Sequence, residues 1–448
     1  MSAESRRVVV PVLVLVLTAL LGCTGAAPRA AGAAEAAFNG TGCSSAAVRG
    51  GFQVGVTHAE HSIGTGTDPT APPPAPAALA RARRTLSSVG PLQNMHLFGF
   101  GEWANPRHGA HGPFDWSSLD ARMRLICATG GTPVITLCCS PSWATDHYDP
   151  QAPDDTTHLY DAPLPSHYQD YADLAVAVAR RYPFVRYFQV WNQFKGFYGV
   201  PRPDGSVDYS QWDAAAYTSF YNTVYRALDG YRKSARVDLR IGGPYVPFPT
   251  WSDPGAAGHP AAVAALRGQP WGTVDQRALD ALDYWLAHDA GADFLAVDAG
   301  TDTEPACPDT APDCTDAQKY RRFPDQAQGA AKFKALDQYL HGLLNHRQLP
   351  IWWSEYYAPV DGTNASTAAM YRGVLDAMAA SGASAALMWS PEYEPNLPTD
   401  CHDASGHQEC SNGFPALWTE PDLWGGGGPP PGPDYLSIVR TFTGSHRG

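Results

Sequence analysis

Short apolar runs alternate along this chain with longer stretches whose apolar residues recur at helical spacing. The runs at Gln53–Thr57, Asn94–Phe100, Pro133–Cys139, Arg186–Asn192, Asp238–Gly243, Asp293–Asp298, Pro350–Glu355 and Ser384–Ser390 predict β-strands. Each is short and largely apolar, as expected of a parallel strand covered on both faces. The stretches at Pro76–Val89, Trp116–Ala128, His167–Tyr182, Gln211–Ala235, Gln276–Ala290, Ala327–Asn345 and Thr367–Ser381 predict helices, with Asp434–Phe442 as a last one. Tyr171, Leu174, Ala175 and Val178 illustrate the apolar stripe of such a helix. This alternation predicts one α/β domain, a (β/α)8 TIM barrel, rather than two domains. No internal repeat stands out beyond it.

Long insertions follow the second, third, fourth, fifth, sixth and eighth strands, and they are dense in Pro, Gly, Asp and Trp. In a barrel these loops build the rim on which active sites sit, whereas the returning loops are short and structural. Gly425–Pro431 is low-complexity and reads as a connection before the last helix.

The N-terminus follows another pattern. Arg6-Arg7 precedes an apolar run from Val8 to Leu21, of signal-peptide length and short for a membrane span. The run ends in Leu20-Leu21-Gly22-Cys23, which resembles a bacterial lipobox and implies cleavage before Cys23 and its lipidation. Residues 1–22 are therefore expected as a signal peptide, 23–49 as a flexible lipid-anchored tether and 50–448 as the barrel. The expected location is the outer face of the cell membrane, or the exterior, with membrane contact only through the anchor.

Of 448 residues, 44% are hydrophobic and 17% charged, the balance of a globular chain. A net charge of −13 argues against nucleic-acid and anionic-membrane partners. The 13 tryptophans and 21 tyrosines suit both a barrel core and stacking on sugar rings. Nine cysteines fit an oxidising compartment. Cys307 and Cys314 bracket one polar loop, Cys401 and Cys410 another, and both pairs are expected as disulfides. The pairing of Cys43, Cys127, Cys138 and Cys139 stays open, and adjacent Cys138-Cys139 reads as a buried strand end rather than a metal site. Neither a CxxC pair nor an HExxH motif occurs, so no metal or other cofactor is expected.

Two strand ends carry the candidate chemistry: Val190-Trp191-Asn192-Gln193 and Ile351-Trp352-Trp353-Ser354-Glu355. In a barrel both tips reach the same rim. A retaining glycosidase needs a nucleophilic carboxylate and a carboxylic acid about 5–5.5 Å apart. Glu355 suits the first role, and an amide, Gln193, stands where the second is expected.

These segments resemble the strand-4 and strand-7 motifs of clan A glycoside hydrolases, most nearly family 39, the β-xylosidase-like group with bacterial secreted members. The resemblance runs from about Gly50 to Phe442. It implies a retaining hydrolase of O-glycosidic bonds in oligo- or polysaccharides, with Glu355 as nucleophile and Asn192 on the sugar 2-hydroxyl. It also implies Gln193 at the acid/base position and Trp389 stacked under the sugar. The chain departs from the family in three ways. Gln193 has no transferable proton near neutral pH. Strand 6 ends in Ala296-Val297-Asp298-Ala299-Gly300 rather than a His/Tyr pattern, and the accessory β-sandwich is missing.

Four readings of Gln193 stay open: a substrate with a good leaving group, another carboxylate as acid, a substitution introduced to trap substrate, or a glycan-binding barrel that does not cleave. Asp298, Glu392, Glu394, Glu60 and Glu102 are the alternative carboxylates. Further candidates for the sugar site are His58, Trp143, Trp191, Tyr245, Asp298 and Trp353, with Lys195 and Tyr198 along the strand-4 loop. For several of these, packing is an equal alternative. The expected function is a glycoside hydrolase. The rival is a cell-surface carbohydrate-binding protein on a hydrolase scaffold. Transglycosylation, sugar identity, linkage and oligomeric state stay open.

Overall fold

Eight parallel strands close into a barrel in sequential order. The computed structural model describes residues 37–44, 51–58, 76–89, 92–98, 105–252, 258–304, 324–358, 364–389, 392–393, 418–419 and 437–439. The barrel strands are β1 (Gln53–Thr57), β2 (Leu92–His96), β3 (Thr132–Leu137), β4 (Tyr187–Val190), β5 (Arg240–Pro247), β6 (Phe294–Gly300), β7 (Ile351–Tyr357) and β8 (Ala385–Trp389). Around them lie α1 (Pro76–Val89), α2 (Ser117–Ala128), α3 (Tyr168–Arg181), α4 (Ala214–Ala235), α5 (Gln276–His288), α6 (Gln326–Leu343) and α7 (Asn364–Ser381). This is the expected (β/α)8 architecture.

Side-chain alternation along each strand divides the core in two. Leu92, Val134, Tyr187, Phe294, Trp352 and Leu387 pack with one another and fill the barrel. The Trp352 ring lies 4.4 Å from that of Phe294 and 4.9 Å from that of Tyr187. A side chain at position 242 would come within 2.2 Å of the Phe294 ring, so Gly242 on β5 makes room for this cluster. The intervening residues, such as Ile135, Phe188, Leu295 and Ile351, meet the helices in a second, larger cluster. Asp213 and Asp275 accept hydrogen bonds from the first turns of α4 and α5, and Asp325 with Gln328 forms a capping box on α6. Such caps fix helix starts and contribute about 1 kcal/mol each.

Residues 37–44, placed in the tether on sequence grounds, pack on the folded unit. Phe38 lies against Tyr182 and Phe184, its N–H donates to the Arg181 carbonyl, and Cys43 is bonded to Cys127 in the last turn of α2. The second pairing left open is Cys138 with Cys139, buried just beyond β3. Cys23 and the expected pairs Cys307–Cys314 and Cys401–Cys410 lie outside the described residues.

Candidate active site

Three local departures from regular strand geometry build the bowl at the C-terminal end of the barrel. The first is at the exit of β4. Trp191 and Gln193 both have positive φ, 70° and 56°. Such conformations cost side-chain-bearing residues on the order of 1–3 kcal/mol each and tend to collect at functional sites. Trp191 packs against Tyr171, Phe197 and Phe220 and donates its indole N–H to the Lys195 carbonyl. Asn192 and Gln193 turn the other way, toward Glu355 and Asp298.

The second departure is a bulge in β7. Val297 of β6 pairs with Trp353, but Asp298 pairs with Glu355, leaving Ser354 as the extra residue. Strict alternation from inward-facing Trp352 would send Glu355 outward with Trp353. The extra residue re-aims it, a common use of bulges beside active sites. Ser354 Oγ bonds to Gln189, and Glu355 also faces inward. The Glu355 Oε2 lies 3.5 Å from Asn192 Nδ2 and 3.4 Å from the Tyr245 hydroxyl, long hydrogen bonds that hold its direction.

The third is a bulge in β5, where Pro244 pairs with Ala296 and Val246 with Val297. Tyr245, with φ 56°, is the extra residue, and its hydroxyl donates to the Ser354 carbonyl as well as to Glu355.

A buried network joins these tips. Lys195 Nζ donates to Asn192 Oδ1 at 2.5 Å and to Gln193 Oε1 at 2.9 Å. The Tyr198 hydroxyl also reaches Gln193 Oε1, at 3.3 Å. Gln193 Nε2 donates to Asp298 Oδ2 at 2.5 Å. Burial raises the Glu355 carboxyl above its ordinary range, against the opposing pull of Lys195, Asn192 and Tyr245. Burial, with the Glu355 charge added to it, pushes Asp298 well above the ordinary range. Burial lowers Lys195, and both carboxylates oppose that shift.

Beside Gln193 and Asp298 opens a cavity of about 310 Å³, near the lower end for ligand pockets. Tyr198, Trp212, Trp251, Phe248 and Tyr357 are among its walls, with Arg277 and Glu304 as charged members. These aromatics come from the long loops after β4 and β5 and from the end of β7. Their abundance in the insertions was a signal, but sequence does not say which of them face the bowl.

Several expected sugar contacts lie elsewhere. Trp353 faces the helices, donating its indole N–H to buried Asp337 on α6 and packing on Phe333. Trp191 is a packing residue, as described above. Trp143 is buried in the loop after β3 and bonds to the Arg107 carbonyl. His58 sits between strand and helix, bonded to Gln93, whose amide in turn donates to Thr129 just past α2. Outward alternation explains Trp353 and His58, the positive φ at the exit of β4 turns Trp191 outward, and loop packing retains Trp143. Tyr245 and Asp298 do join the cluster around Glu355. Trp389 stands at the tip of β8, edge-on to His96 with centroids 6.1 Å apart. Glu60, Glu102 and Glu394 fall outside the described residues, as does the side chain of Glu392.

Away from the bowl, His147, His158 and Asp161 come together on the loop after β3. The two imidazoles stack at 3.5 Å with 13° between planes, and both edges meet the Asp161 carboxylate, at 2.9 and 3.6 Å. Both ring nitrogens reach the same oxygen, Asp161 Oδ2, and the three side chains have the donor types and spacing that could hold a metal ion.

The fold and this bowl define a TIM barrel with paired buried carboxyls at its C-terminal face. Among solved structures it is similar to β-glucosidase 2 from the fungus Trichoderma reesei, seen in complex with Tris, at 14% identity and TM-score 0.53. That alignment covers 89% of this chain and 99% of the other. A β-glucosidase from Exiguobacterium marinum aligns at 10% identity and TM-score 0.53, over 89% of this chain and 98% of the other. No protein-family model matches the sequence, and no curated protein does. At these identities the likeness is one of fold.

Proposed function

We propose that this protein is a retaining glycoside hydrolase of the family-39-like type, acting on O-glycosidic bonds, with Glu355 as its nucleophile. The observation that carries this reading is the direction of Glu355: a one-residue bulge turns it inward, and Asn192 and Tyr245 grip its carboxylate. Glu355 attacks the anomeric carbon, and water then releases the sugar with the original anomeric configuration. Asn192 is placed to bond the 2-hydroxyl, a contact that strengthens in the transition state. Trp389 at the mouth offers a face for the ring. The similarity in fold to two β-glucosidases and the xylosidase-like motifs together make β-xylosides and β-glucosides the first substrates to try. Cys23 after the apolar run supports an exported, lipid-anchored form, in keeping with an extracellular glycan substrate.

The test is turnover of 2,4-dinitrophenyl β-D-xyloside and β-D-glucoside with NMR of the first-formed anomer. The expected product is the β-anomer, with Glu355→Gln losing turnover by at least about 10³-fold on both glycosides, as befits loss of the attacking group. First-formed α-product, or a Glu355→Gln enzyme as fast as wild type, contradicts the assignment. The amide at position 193 supports a second reading, a carbohydrate-binding barrel. Binding of xylo- or gluco-oligosaccharides without release of any dinitrophenol selects it.

A further inference from the structure

A nucleophile alone does not expel an ordinary sugar or alcohol, and Gln193 has no proton to give. The neighbouring strand supplies a carboxyl. Asp298 ends the inward face of β6, is fully buried, and is the register partner of Glu355. Adjacent strands lie about 4.8 Å apart, a separation that suits the roughly 5–5.5 Å between the carboxyls of a retaining pair. The two oxygens of Asp298 differ. Oδ2 accepts the Gln193 amide at 2.5 Å, and buried Oδ1 has no hydrogen-bond partner among the described residues. Asp298 and Gln193 share a wall of the aromatic cavity, whereas Glu355 lies off it, so that cavity adjoins the leaving-group side.

Gln193 is itself held in one orientation. Its carbonyl accepts from Lys195, which can only donate, and from the Tyr198 hydroxyl, so its N–H faces Asp298. We propose that Asp298 is the acid/base catalytic residue of this site and Gln193 its positioning residue, the proton having moved one strand over from the position of the amide. This inference rests on the hydrolase reading of Glu355.

In the first half-reaction a Glu355 oxygen bonds to the anomeric carbon as the glycosidic C–O bond breaks. The electron pair stays on the departing oxygen, which takes the proton of Asp298. The new Asp298 carboxylate keeps the Gln193 N–H and gains the nearby Lys195 charge. In the second half, Asp298 takes a proton from water as the water oxygen bonds to the anomeric carbon. The ester to Glu355 breaks, restoring a carboxylate at 355 and an acid at 298. Two carboxyls buried side by side, with Lys195 the cation that acts on both, favour a single retained proton. Lys195 offsets burial at both carboxyls, helped by Gln193 at Asp298 and by Asn192 and Tyr245 at Glu355, but at Asp298 the Glu355 charge adds to burial, which favours the proton on Asp298.

The experiment compares wild type with Asp298→Asn and Asp298→Ala on two probes of each sugar, the 2,4-dinitrophenyl glycoside, which needs little acid assistance, and the methyl glycoside, which needs much. For Asp298→Asn, kcat/KM on the methyl glycoside is expected to fall by roughly 10²–10⁴-fold. The first step on the dinitrophenyl glycoside should stay within about tenfold of wild type, measured as its pre-steady-state burst. Azide should restore turnover of that probe by Asp298→Ala and yield the β-glycosyl azide, a product that a structural defect does not give. Equal losses on both probes without azide rescue, or no loss on the methyl glycoside, overturn the assignment of Asp298 alone. Failure of the wild-type protein to release dinitrophenol from either sugar overturns the hydrolase reading and this assignment with it.

Discussion

The electrostatics of the bowl turn on Lys195. Its charge acts on both Glu355 and Asp298, lowering the proton affinity of each. In the proposed mechanism Glu355 must be ionised to attack and Asp298 protonated to donate, so their two titrations set the acidic and basic limbs of the kcat/KM profile. Replacing Lys195 with Met removes the charge that favours both ionised forms. Both limbs are therefore expected to move to higher pH, with the acidic limb reporting Glu355. A profile with unmoved limbs contradicts this account of the site, whatever happens to the absolute rate. At this scale, sequence reading placed Glu355, Asn192 and Gln193 together because they sit at strand tips. It misassigned Trp353 and His58, because their direction depends on alternation that only a known register fixes.

At the scale of elements, the bulges in β5 and β7 do what the apolar pattern cannot reveal. They leave the strands in place and rotate single side chains. The expected strand Asp238–Gly243 stops at the residue before Pro244, since proline interrupts a ladder. The observed β5 continues through Pro244 to Pro247 because the bulge at Tyr245 accommodates the break. β4 ends at Val190, short of the expected Asn192, where positive φ at Trp191 interrupts the ladder. By contrast, β1 and α1 match the expected bounds, since their apolar periodicity runs uninterrupted. The disulfide from Cys43 to Cys127 joins the first described segment to α2 across 84 residues. A loop of that length gives about 4–5 kcal/mol by the chain-entropy relation. The Cys43→Ser, Cys127→Ser double variant should therefore unfold at clearly lower urea, and an unchanged midpoint contradicts a stabilising role for this bond.

On the scale of the whole molecule, the closed barrel gathers residues that are far apart in sequence onto one rim. Asn192 and Gln193 leave β4, Tyr245 leaves β5, Asp298 leaves β6 and Glu355 leaves β7, so four consecutive strands supply the bowl. The strand–helix alternation made this architecture legible, because each unit carries its own apolar signal. The aromatic cavity was not legible, because its walls come from loops whose paths no periodicity encodes.

The most direct test of the account is to trap the covalent intermediate. Incubation with 2,4-dinitrophenyl 2-deoxy-2-fluoro-β-D-xyloside or its gluco counterpart should add one fluorosugar to the protein. Peptide mass analysis should then place that sugar on Glu355. A label on any other carboxylate, or none while the unfluorinated probe is turned over, contradicts the claim that Glu355 is the attacking group.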